Sequence, residues 1–199
     1  MKKKTIKKKV SKKKAVMNAS AAQQFDYRWA PVHRVNKVKV TQNLWPWLIT
    51  HDSLTARLKC LGTLTVEVLE DSWGTPTARE KKRLKLRPRE AARIRTVLLK
   101  VDGIPLIYAR SIIPAQSLKG HWRQVKHLQD KPLGGYLFQH RALIRSGIEI
   151  TQLPKSMFPH QPQAVWARRS VFHQFGPGIL VNEAFFDELN HVKPLSGFL

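Results

Sequence analysis

The chain has 199 residues, a formal net charge of +23 and 42% hydrophobic residues. This length fits one domain with a tail, and the apolar content is enough for one sizeable core. No apolar run approaches the roughly 20 residues that a membrane-spanning helix needs. The single cysteine, Cys60, excludes an internal disulfide framework and fits a reducing compartment. We therefore expect a cytoplasmic protein in which Cys60 is a small buried residue.

The positive charge is concentrated at the amino terminus, where residues 1–14 contain nine lysines and no acid. Without that segment, the remaining 27 basic and 13 acidic residues still give +14. A run this rich in lysine buries too little apolar surface to fold, so we predict a disordered basic tail over residues 1–24 and a folded domain over residues 25–199. Three interpretations of the tail stay open: nucleic-acid binding, contact with an anionic membrane surface, or an upstream start, since Met17 offers a second one.

The first predicted elements are two short helices. Asn43 is a suitable N-cap, and Pro46 suits the first turn that follows it. Ser53 predicts the cap of a second helix over Leu54–Leu61, which ends at Gly62.

The segments around these helices predict strands and a basic surface. The alternation of Val35–Val40 suits an edge strand, and Leu64–Leu69 alternates strictly, which is typical of a half-buried strand. The basic stretch Asp71–Arg89 predicts a surface loop or a short helix.

The strongest local signal is Asp102-Gly103, between the apolar runs Arg95–Val101 and Ile104–Ile113. An Asp-Gly pair in this setting predicts a two-residue hairpin turn, because both residues tolerate a positive φ. In that register Arg95 lies opposite Arg110, and like charges in this position destabilise a sheet. Three interpretations stay open. An anion lies between the two arginines, their side chains point apart into solvent, or a longer loop shifts the register so that they are not opposite each other.

The next stretch predicts a helix and a turn. Ser117 is a suitable cap for a helix that runs to about Gln129, and the pair Gly134-Gly135 allows a sharp turn or the close approach of another group. Leu143–Ile150 predicts a further strand.

A second hairpin is predicted from Val165–Phe175 and Ile179–Phe186, which flank a Gly-Pro-Gly turn. In the last strand Glu183 shares a face with apolar residues, and burial of a carboxylate without a partner is costly. Glu183 is therefore a functional group, a residue at a solvent edge, or a carboxylate that Arg168 or Arg169 neutralises.

These elements predict an α+β fold in a single domain. Most of the predicted strands belong to hairpins, and the predicted helices precede these hairpins or lie between them in the sequence. This order favours an antiparallel sheet with helices packed on it. The sequence has no phosphate-binding glycine loop, no nucleophile elbow and no Cys or His spacing typical of metal ligands. We expect no metal.

Five motifs follow one another between about Trp45 and Leu189: DSLTARL at Asp52–Leu58, VDGIPL within Arg95–Pro114, KPLGGYLF at Lys131–Phe138, ARRS at Ala167–Ser170 and NEAF at Asn182–Phe185. No one motif is diagnostic, but their order and spacing are fairly specific. In these motifs the chain resembles the chorismate pyruvate-lyase family, whose members begin ubiquinone biosynthesis in Gram-negative bacteria.

The resemblance implies a monomeric lyase that converts chorismate to 4-hydroxybenzoate and pyruvate without a cofactor. It implies an antiparallel-sheet domain in which flap-like segments cover a buried ligand site. The site residues implied are Leu54, Arg95, Leu133 and Glu183: apolar walls from the two leucines, a carboxylate-binding Arg95, and a Glu183 that serves as a base or accepts a hydrogen bond from the ring hydroxyl. We predict that Arg95 and Glu183 are catalytic and that Arg110, opposite Arg95 in the predicted register, supplies a second positive charge to the substrate.

Two mechanisms and two other functions stay open. A base such as Glu183 can remove the ring proton, or the proton can pass within the substrate to the enolpyruvyl methylene. The other functions are a small-molecule-binding effector module of the same fold and a basic nucleic-acid-binding protein, although we expect no nucleic acid.

Overall fold

The computed structural model describes residues 25–119, 121–138, 143–173 and 176–192. The predicted tail, residues 1–24, lies outside them. The strands are β1 (Ala30–Pro31), β2 (Leu64–Gly74), β3 (Ala92–Val101), β4 (Ile104–Pro114), β5 (Ile144–Arg145), β6 (Glu149–Leu153), β7 (Val165–His173) and β8 (Ile179–Phe185). The α-helices are α1 (Trp45–Ile49), α2 (Leu54–Lys59), α3 (Ala78–Leu84) and α4 (Leu133–Leu137). Shorter 3-10 turns include Lys37–Lys39, Ser117–Lys119 and His121–His127. None of the described helices is long and apolar enough to cross a membrane.

The strands form one antiparallel sheet in the order β1-β6-β7-β8-β4-β3-β2, and β5 adds to β7. The two predicted hairpins, β3–β4 and β7–β8, lie side by side because β4 pairs with β8. The helices lie on the sheet, so the predicted α+β fold in a single domain is confirmed.

The turn of the first hairpin forms as the sequence predicts. Asp102 has a φ of 48° and Gly103 a φ of 82°, so both turn residues adopt the left-handed region that a type I′ turn requires. The Asp102 carboxylate also accepts a hydrogen bond from the backbone N–H of Thr63, at 2.9 Å. The side chain therefore fixes the hairpin tip to the start of β2.

The register of this hairpin differs from the prediction beyond its first pair. Val101 faces Ile104 as expected, but the register shifts between Leu99 and Lys100, and from there on every partner in β4 moves by one residue. Arg95 consequently lies opposite Ser111, and Arg110 lies opposite Thr96. Because adjacent side chains in a strand point to opposite faces, this one-residue shift places Arg95 and Arg110 on different sides of the sheet.

The two faces of the sheet carry separate cores. On one face, which we call the cavity face, α1 and α2 pack against Val97, Leu99 and Ala109. On the other, the far face, Tyr108 packs with Phe25 and with the side chains around it. Helix α3 also covers the far face, where its Glu80 is fully buried. The cavity face therefore carries α2, which contains most of the DSLTARL motif.

Several local predictions need correction. Val35–Val40 is not a strand, because the Asn36 side chain accepts a hydrogen bond from the Val38 N–H and caps a 3-10 turn. Asn43 does not cap α1; its side-chain amide donates to the Asn190 carbonyl instead. Cys60 is exposed rather than buried.

The predicted helix after Ser117 is also different in detail. Its described residues form 3-10 turns, yet the predicted apolar stripe is buried as expected. The stripe consists of Leu118, Trp122, Val125 and Leu128. Elsewhere, the predicted strand Leu143–Ile150 divides into β5 and the start of β6, and the basic stretch after β2 forms α3 with a capping box between Thr77 and Glu80.

Candidate active site

A small cavity lies between the cavity face of the sheet, α2 and α4. Its volume is about 40 Å³, well below the roughly 300 Å³ at the lower end of small-molecule sites, so the site is contracted in this conformation. The polar and charged residues of its lining are Thr55, Arg95, Ser111, Arg145, Arg168 and Glu183. Leu54, Leu133, Val97 and Phe172 contribute to its apolar walls.

Four of the five predicted site residues line this cavity together. Leu54 comes from α2, Leu133 from α4, Arg95 from β3 and Glu183 from β8. They are separated by up to 129 positions in the chain, and only the antiparallel pairing of β3, β4 and β8 brings the two charged residues to one face. Their role toward a ligand stays a prediction.

The fifth predicted residue, Arg110, lies on the far face and does not line the cavity. Its Nε and Nη2 donate to the two carboxylate oxygens of Glu80, at 3.0 and 3.3 Å. Asn182 donates to the same carboxylate at 3.3 Å, and all three side chains are buried. The prediction that Arg110 adds a positive charge beside Arg95 is therefore wrong for this cavity, because the register shift turns it to the other face.

Arg95 is almost completely buried, with 2% of its side chain exposed. Its Nη2 donates to the backbone carbonyls of Gln129 and Lys131, at 2.8 and 3.0 Å. Its Nε lies 3.7 Å from Asp71 and has no hydrogen-bond acceptor among the described residues. Burial lowers the pKa of Arg95, while the Asp71 carboxylate acts against that change. A buried donor without an acceptor is rare in native proteins and suits a ligand carboxylate.

Glu183 forms an ion pair across two neighbouring strands. The Nε of Arg168 in β7 donates to Glu183 Oε2 at 2.6 Å, and the two residues are direct partners in the sheet. The Nη1 of Arg168 also donates to the backbone carbonyls of Trp47 and Thr50, at 2.8 and 2.9 Å. The sequence left open whether Arg168 or Arg169 neutralises Glu183, and in the structure Arg168 does so. The pair fixes the carboxylate at the cavity wall.

Arg145 is a cavity residue that the sequence reasoning missed. Its Nε donates to Ser170 Oγ and its Nη1 to the Thr50 carbonyl, each at 3.0 Å, and its guanidinium lies 5.1 Å from the Phe172 ring centroid. Burial and then the like charge of Arg168 lower the pKa of Arg145 to about 10. The available signal was an arginine within the apolar strand candidate LIRSGIEI, but no motif of the family resemblance included it.

The charges around the cavity are unequal. Among the described residues, its lining contains three arginines and one carboxylate. Asp71 adds a negative charge near Arg95, but it is already paired with Arg93. The cavity therefore favours an anion, and a dianion balances it best. No group of three or more His, Cys, Asp or Glu side chains in the described part of the chain is placed to hold a metal ion.

Helix α4 closes the cavity by packing against α2. A Cβ atom on Gly134 would lie 2.6 Å from Thr55 Oγ1, which is closer than real Cβ contacts. The absence of a side chain at Gly134 is therefore what lets the two helices approach. This contact accounts for one of the two glycines of the KPLGGYLF motif, since Gly135 has no such close neighbour.

The chorismate lyase family model matches residues 27–191 of the chain. The chain belongs to the chorismate lyase family. A probable chorismate pyruvate-lyase of Marinobacter nauticus is 41% identical over 145 residues, which cover 72% of this chain and 76% of that protein. A protein with the same description from Hydrogenovibrio crunogenus is 32% identical over 166 residues, which cover 80% of this chain and 90% of the relative. The predicted family resemblance is confirmed.

Solved structures show the same fold at much lower sequence identity. The C-terminal domain of PhnF is 17% identical with a TM-score of 0.52, over 69% of this chain and 89% of that domain. The C-terminal domain of the histidine utilization repressor from Pseudomonas syringae pv. tomato is 13% identical with a TM-score of 0.50, over 63% of this chain and 93% of that one. At such identities these likenesses concern the fold alone.

Proposed function

We propose that this member of the chorismate lyase family converts chorismate to 4-hydroxybenzoate and pyruvate without a cofactor, as the first committed step of ubiquinone biosynthesis. Membership of the family supports chorismate as the substrate. The structural observation that carries the proposal is the small cavity with three arginines and one carboxylate in its wall. Chorismate is a dicarboxylate, and its two charges match the excess of positive charge.

The ring of chorismate carries a carboxylate at one end and a hydroxyl on the carbon opposite to it. In our proposal Arg95 binds the ring carboxylate, because its buried Nε has no acceptor among the described residues. Glu183 accepts a hydrogen bond from the hydroxyl. Leu54 and Leu133 cover the ring from α2 and α4 and exclude water.

The reaction makes the ring aromatic by losing a proton and a leaving group. The C–H bond at the hydroxyl-bearing carbon breaks, and its electron pair enters the ring as the neighbouring C–O bond to the enolpyruvyl group breaks. We propose that the proton passes within the substrate to the enolpyruvyl methylene, which gives pyruvate directly. Glu183 accepts a hydrogen bond from Arg168, and this ion pair suits a carboxylate that orients the hydroxyl rather than one that removes a proton. The closed cavity then contributes by positioning the reacting atoms.

Product analysis tests the proposal. The purified full-length chain is incubated with chorismate, 4-hydroxybenzoate is followed by its absorbance, and pyruvate is measured by reduction with lactate dehydrogenase. We expect equal amounts of both products. In Arg95→Ala, with folding checked by circular dichroism, we expect kcat/KM to fall by at least about 30-fold, since removing one partner of a buried charge pair costs about 2–5 kcal/mol.

Two results would overturn the proposal. Binding of chorismate without either product would favour an effector module of the same fold. Lack of both binding and turnover by the folded protein would remove chorismate as its ligand.

A further inference from the structure

We propose that Arg145 binds the carboxylate of the enolpyruvyl group, the half of chorismate that leaves as pyruvate. This inference rests on the proposed function and adds a residue that distinguishes the substrate from the aromatic product. Arg95 and Glu183 contact parts of the molecule that both share, the ring carboxylate and the hydroxyl. Arg145 contacts a part that only the substrate has.

Arg145 is the arginine of the cavity wall that forms no ion pair among the described residues, because it donates to neutral acceptors, Ser170 Oγ and the Thr50 carbonyl. Arg168 already uses its Nε for Glu183 and its Nη1 for backbone carbonyls. Arg95 lies 3.7 Å from Asp71 and is assigned to the ring carboxylate, at the opposite end of the molecule. Arg145 lines the same cavity and interacts electrostatically with both Arg168 and Glu183.

The chemistry of the substrate places its second carboxylate on that side. The enolpyruvyl ether and the hydroxyl are on neighbouring ring carbons, whereas the ring carboxylate lies at the opposite end. A molecule that places its hydroxyl on Glu183 therefore directs its enolpyruvyl carboxylate toward the surroundings of Glu183 and away from Arg95. Arg145 lines the cavity there. The like charge of Arg168 acts against its positive charge, and a bound anion would relieve that repulsion.

Hydrogen bonds also hold the guanidinium of Arg145 in place before any ligand binds. Ser170 Oγ and the Thr50 carbonyl accept hydrogen bonds from it, and the Phe172 ring supports one side at 5.1 Å. Such preorganisation reduces the loss of side-chain entropy when an anion binds. The same bonds also join the loop after α1 to β7, so a purely structural role is the alternative that the test has to separate.

Two inhibitors separate these roles in the folded protein. 3-(Carboxymethoxy)-4-hydroxybenzoate carries a second carboxylate at the enolpyruvyl position, and 3-ethoxy-4-hydroxybenzoate lacks it. In Arg145→Gln we expect the dissociation constant of the dicarboxylate and the KM for chorismate to rise by at least about 30-fold, as for the loss of a buried charge partner. The dissociation constants of the ethoxy compound and of 4-hydroxybenzoate should change by less than about threefold, which is about 0.6 kcal/mol. Arg145→Lys keeps the charge and should recover part of the loss.

Arg83→Gln is the matched control, because Arg83 is a half-buried arginine paired with Glu149 outside the cavity. It should leave both inhibitors unaffected. Equal weakening of both inhibitors in Arg145→Gln would indicate a structural role and overturn the inference, and so would unchanged binding of both. If Arg145→Gln does not fold, the same comparison is made with Arg145→Lys, where a selective loss for the dicarboxylate supports the inference and a uniform loss contradicts it. A wild-type protein that binds both inhibitors but does not convert chorismate would instead contradict the proposed function.

Discussion

Glu183 faces the cavity with one carboxylate oxygen already bonded to Arg168. We propose that Glu183 orients the ring hydroxyl, and replacement by Gln or Ala tests this. Gln keeps the size and an acceptor oxygen, so Glu183→Gln should retain kcat within about tenfold of wild type, whereas Glu183→Ala should lose more because positioning is lost. Steady-state kinetics of both variants provide the measurement.

The opposite pattern would identify Glu183 as the base. A positioned base contributes about 10²–10⁴-fold to the rate, so a loss of that size in a folded Glu183→Gln would contradict the orienting role. Circular dichroism controls for folding, since Gln also removes the negative partner of the buried Arg168. Wild-type rates in both variants would exclude Glu183 from the site.

Single residues show how far the sequence predicts the site. The motifs named Leu54, Arg95, Leu133 and Glu183, and all four line one cavity. Arg110 was assigned through the hairpin register, and one extra residue in β4 is enough to turn it to the far face. The signal in the sequence was the like-charge pair that the unshifted register would create, because at the other positions either register pairs apolar residues with apolar residues.

At the scale of elements, α4 and α2 depend on a glycine for their contact. In Gly134→Ala the new Cβ would lie 2.6 Å from Thr55 Oγ1 and would force the helices apart. Overpacking of this kind costs about 1–3 kcal/mol. We therefore expect the affinity for 4-hydroxybenzoate, measured by titration calorimetry, to fall by about tenfold or more.

Two further variants test whether the contact between residue 134 and Thr55 causes the loss of affinity in Gly134→Ala. Thr55→Ala removes the oxygen, so the Gly134→Ala/Thr55→Ala double variant should recover most of the affinity relative to Thr55→Ala alone. Gly135→Ala is the matched control, because the nearest atom to its new Cβ would be a Pro132 carbon at 3.8 Å. Equal losses in Gly134→Ala and Gly135→Ala would contradict the proposed contact.

A network of charges connects three other elements on the far face. Glu149 in β6 accepts hydrogen bonds from Arg83 of α3 and Arg169 of β7, both at 2.8 Å. Burial alone would raise the pKa of Glu149, but the hydrogen bonds and charges of Arg169 and Arg83 outweigh it, so the pKa is lowered. A lowered pKa in the folded state means that the network stabilises the protein above the ordinary pKa of a Glu, and that this contribution disappears as the pH falls through the lowered value.

Glu149→Gln should therefore lower the free energy of unfolding at pH 7 by about 1 kcal/mol, the size typical of a partly exposed ion pair. It should also reduce, relative to wild type, the loss of stability that follows as the pH falls below the ordinary pKa of a Glu. Urea unfolding at several pH values provides the measurement. Glu67→Gln is the control, since Glu67 pairs with Lys100 at a more exposed position. An acid dependence identical to that of wild type in Glu149→Gln would contradict the assignment.

Elements were predictable where a local signal fixes them. The Asp-Gly turn and the Ser53 cap of α2 both form as predicted, because each depends on neighbours only a few residues away. The segment after Ser117 has the right buried stripe but forms 3-10 turns, since the spacing of apolar residues cannot distinguish the two helix types over so short a stretch. β5 is two residues long, too short for its alternation to indicate that Arg145 reaches the cavity.

For the whole molecule, the sheet separates two sets of buried and partly buried charges. Arg95, Arg145, Arg168 and Glu183 lie at the cavity face, and the Glu80–Arg110 pair lies on the far face. Composition predicts how many charges a chain has, but the side on which each lies follows from the register of the whole sheet. This is why fold class and family were predictable from sequence while the charge balance of the cavity was not.

The basic tail, residues 1–24, lies outside the described residues, and we propose that it takes no part in catalysis. The family match begins at residue 27, after all nine tail lysines. A chain that starts at Met17 should keep the kcat and KM of the full-length protein. If the tail contacts anionic membranes, the shorter chain should bind less well to vesicles that contain phosphatidylserine, and salt should weaken binding of the full-length chain. A fall in kcat on truncation would show that the tail contributes to catalysis.

In our proposal chorismate reacts in the cavity between the sheet, α2 and α4. Ala109 lines this cavity, opposite Val97 in β3 and Glu183 in β8, and a Leu in its place would occupy the space proposed for the ring. The most direct test is the rate of 4-hydroxybenzoate formation from chorismate by wild type and by folded Ala109→Leu, compared side by side. We expect turnover by wild type and a loss of about 10²-fold or more in the variant, since small displacements of bound reactants cost that much. Equal rates in the two proteins would mean that the reaction takes place outside this cavity.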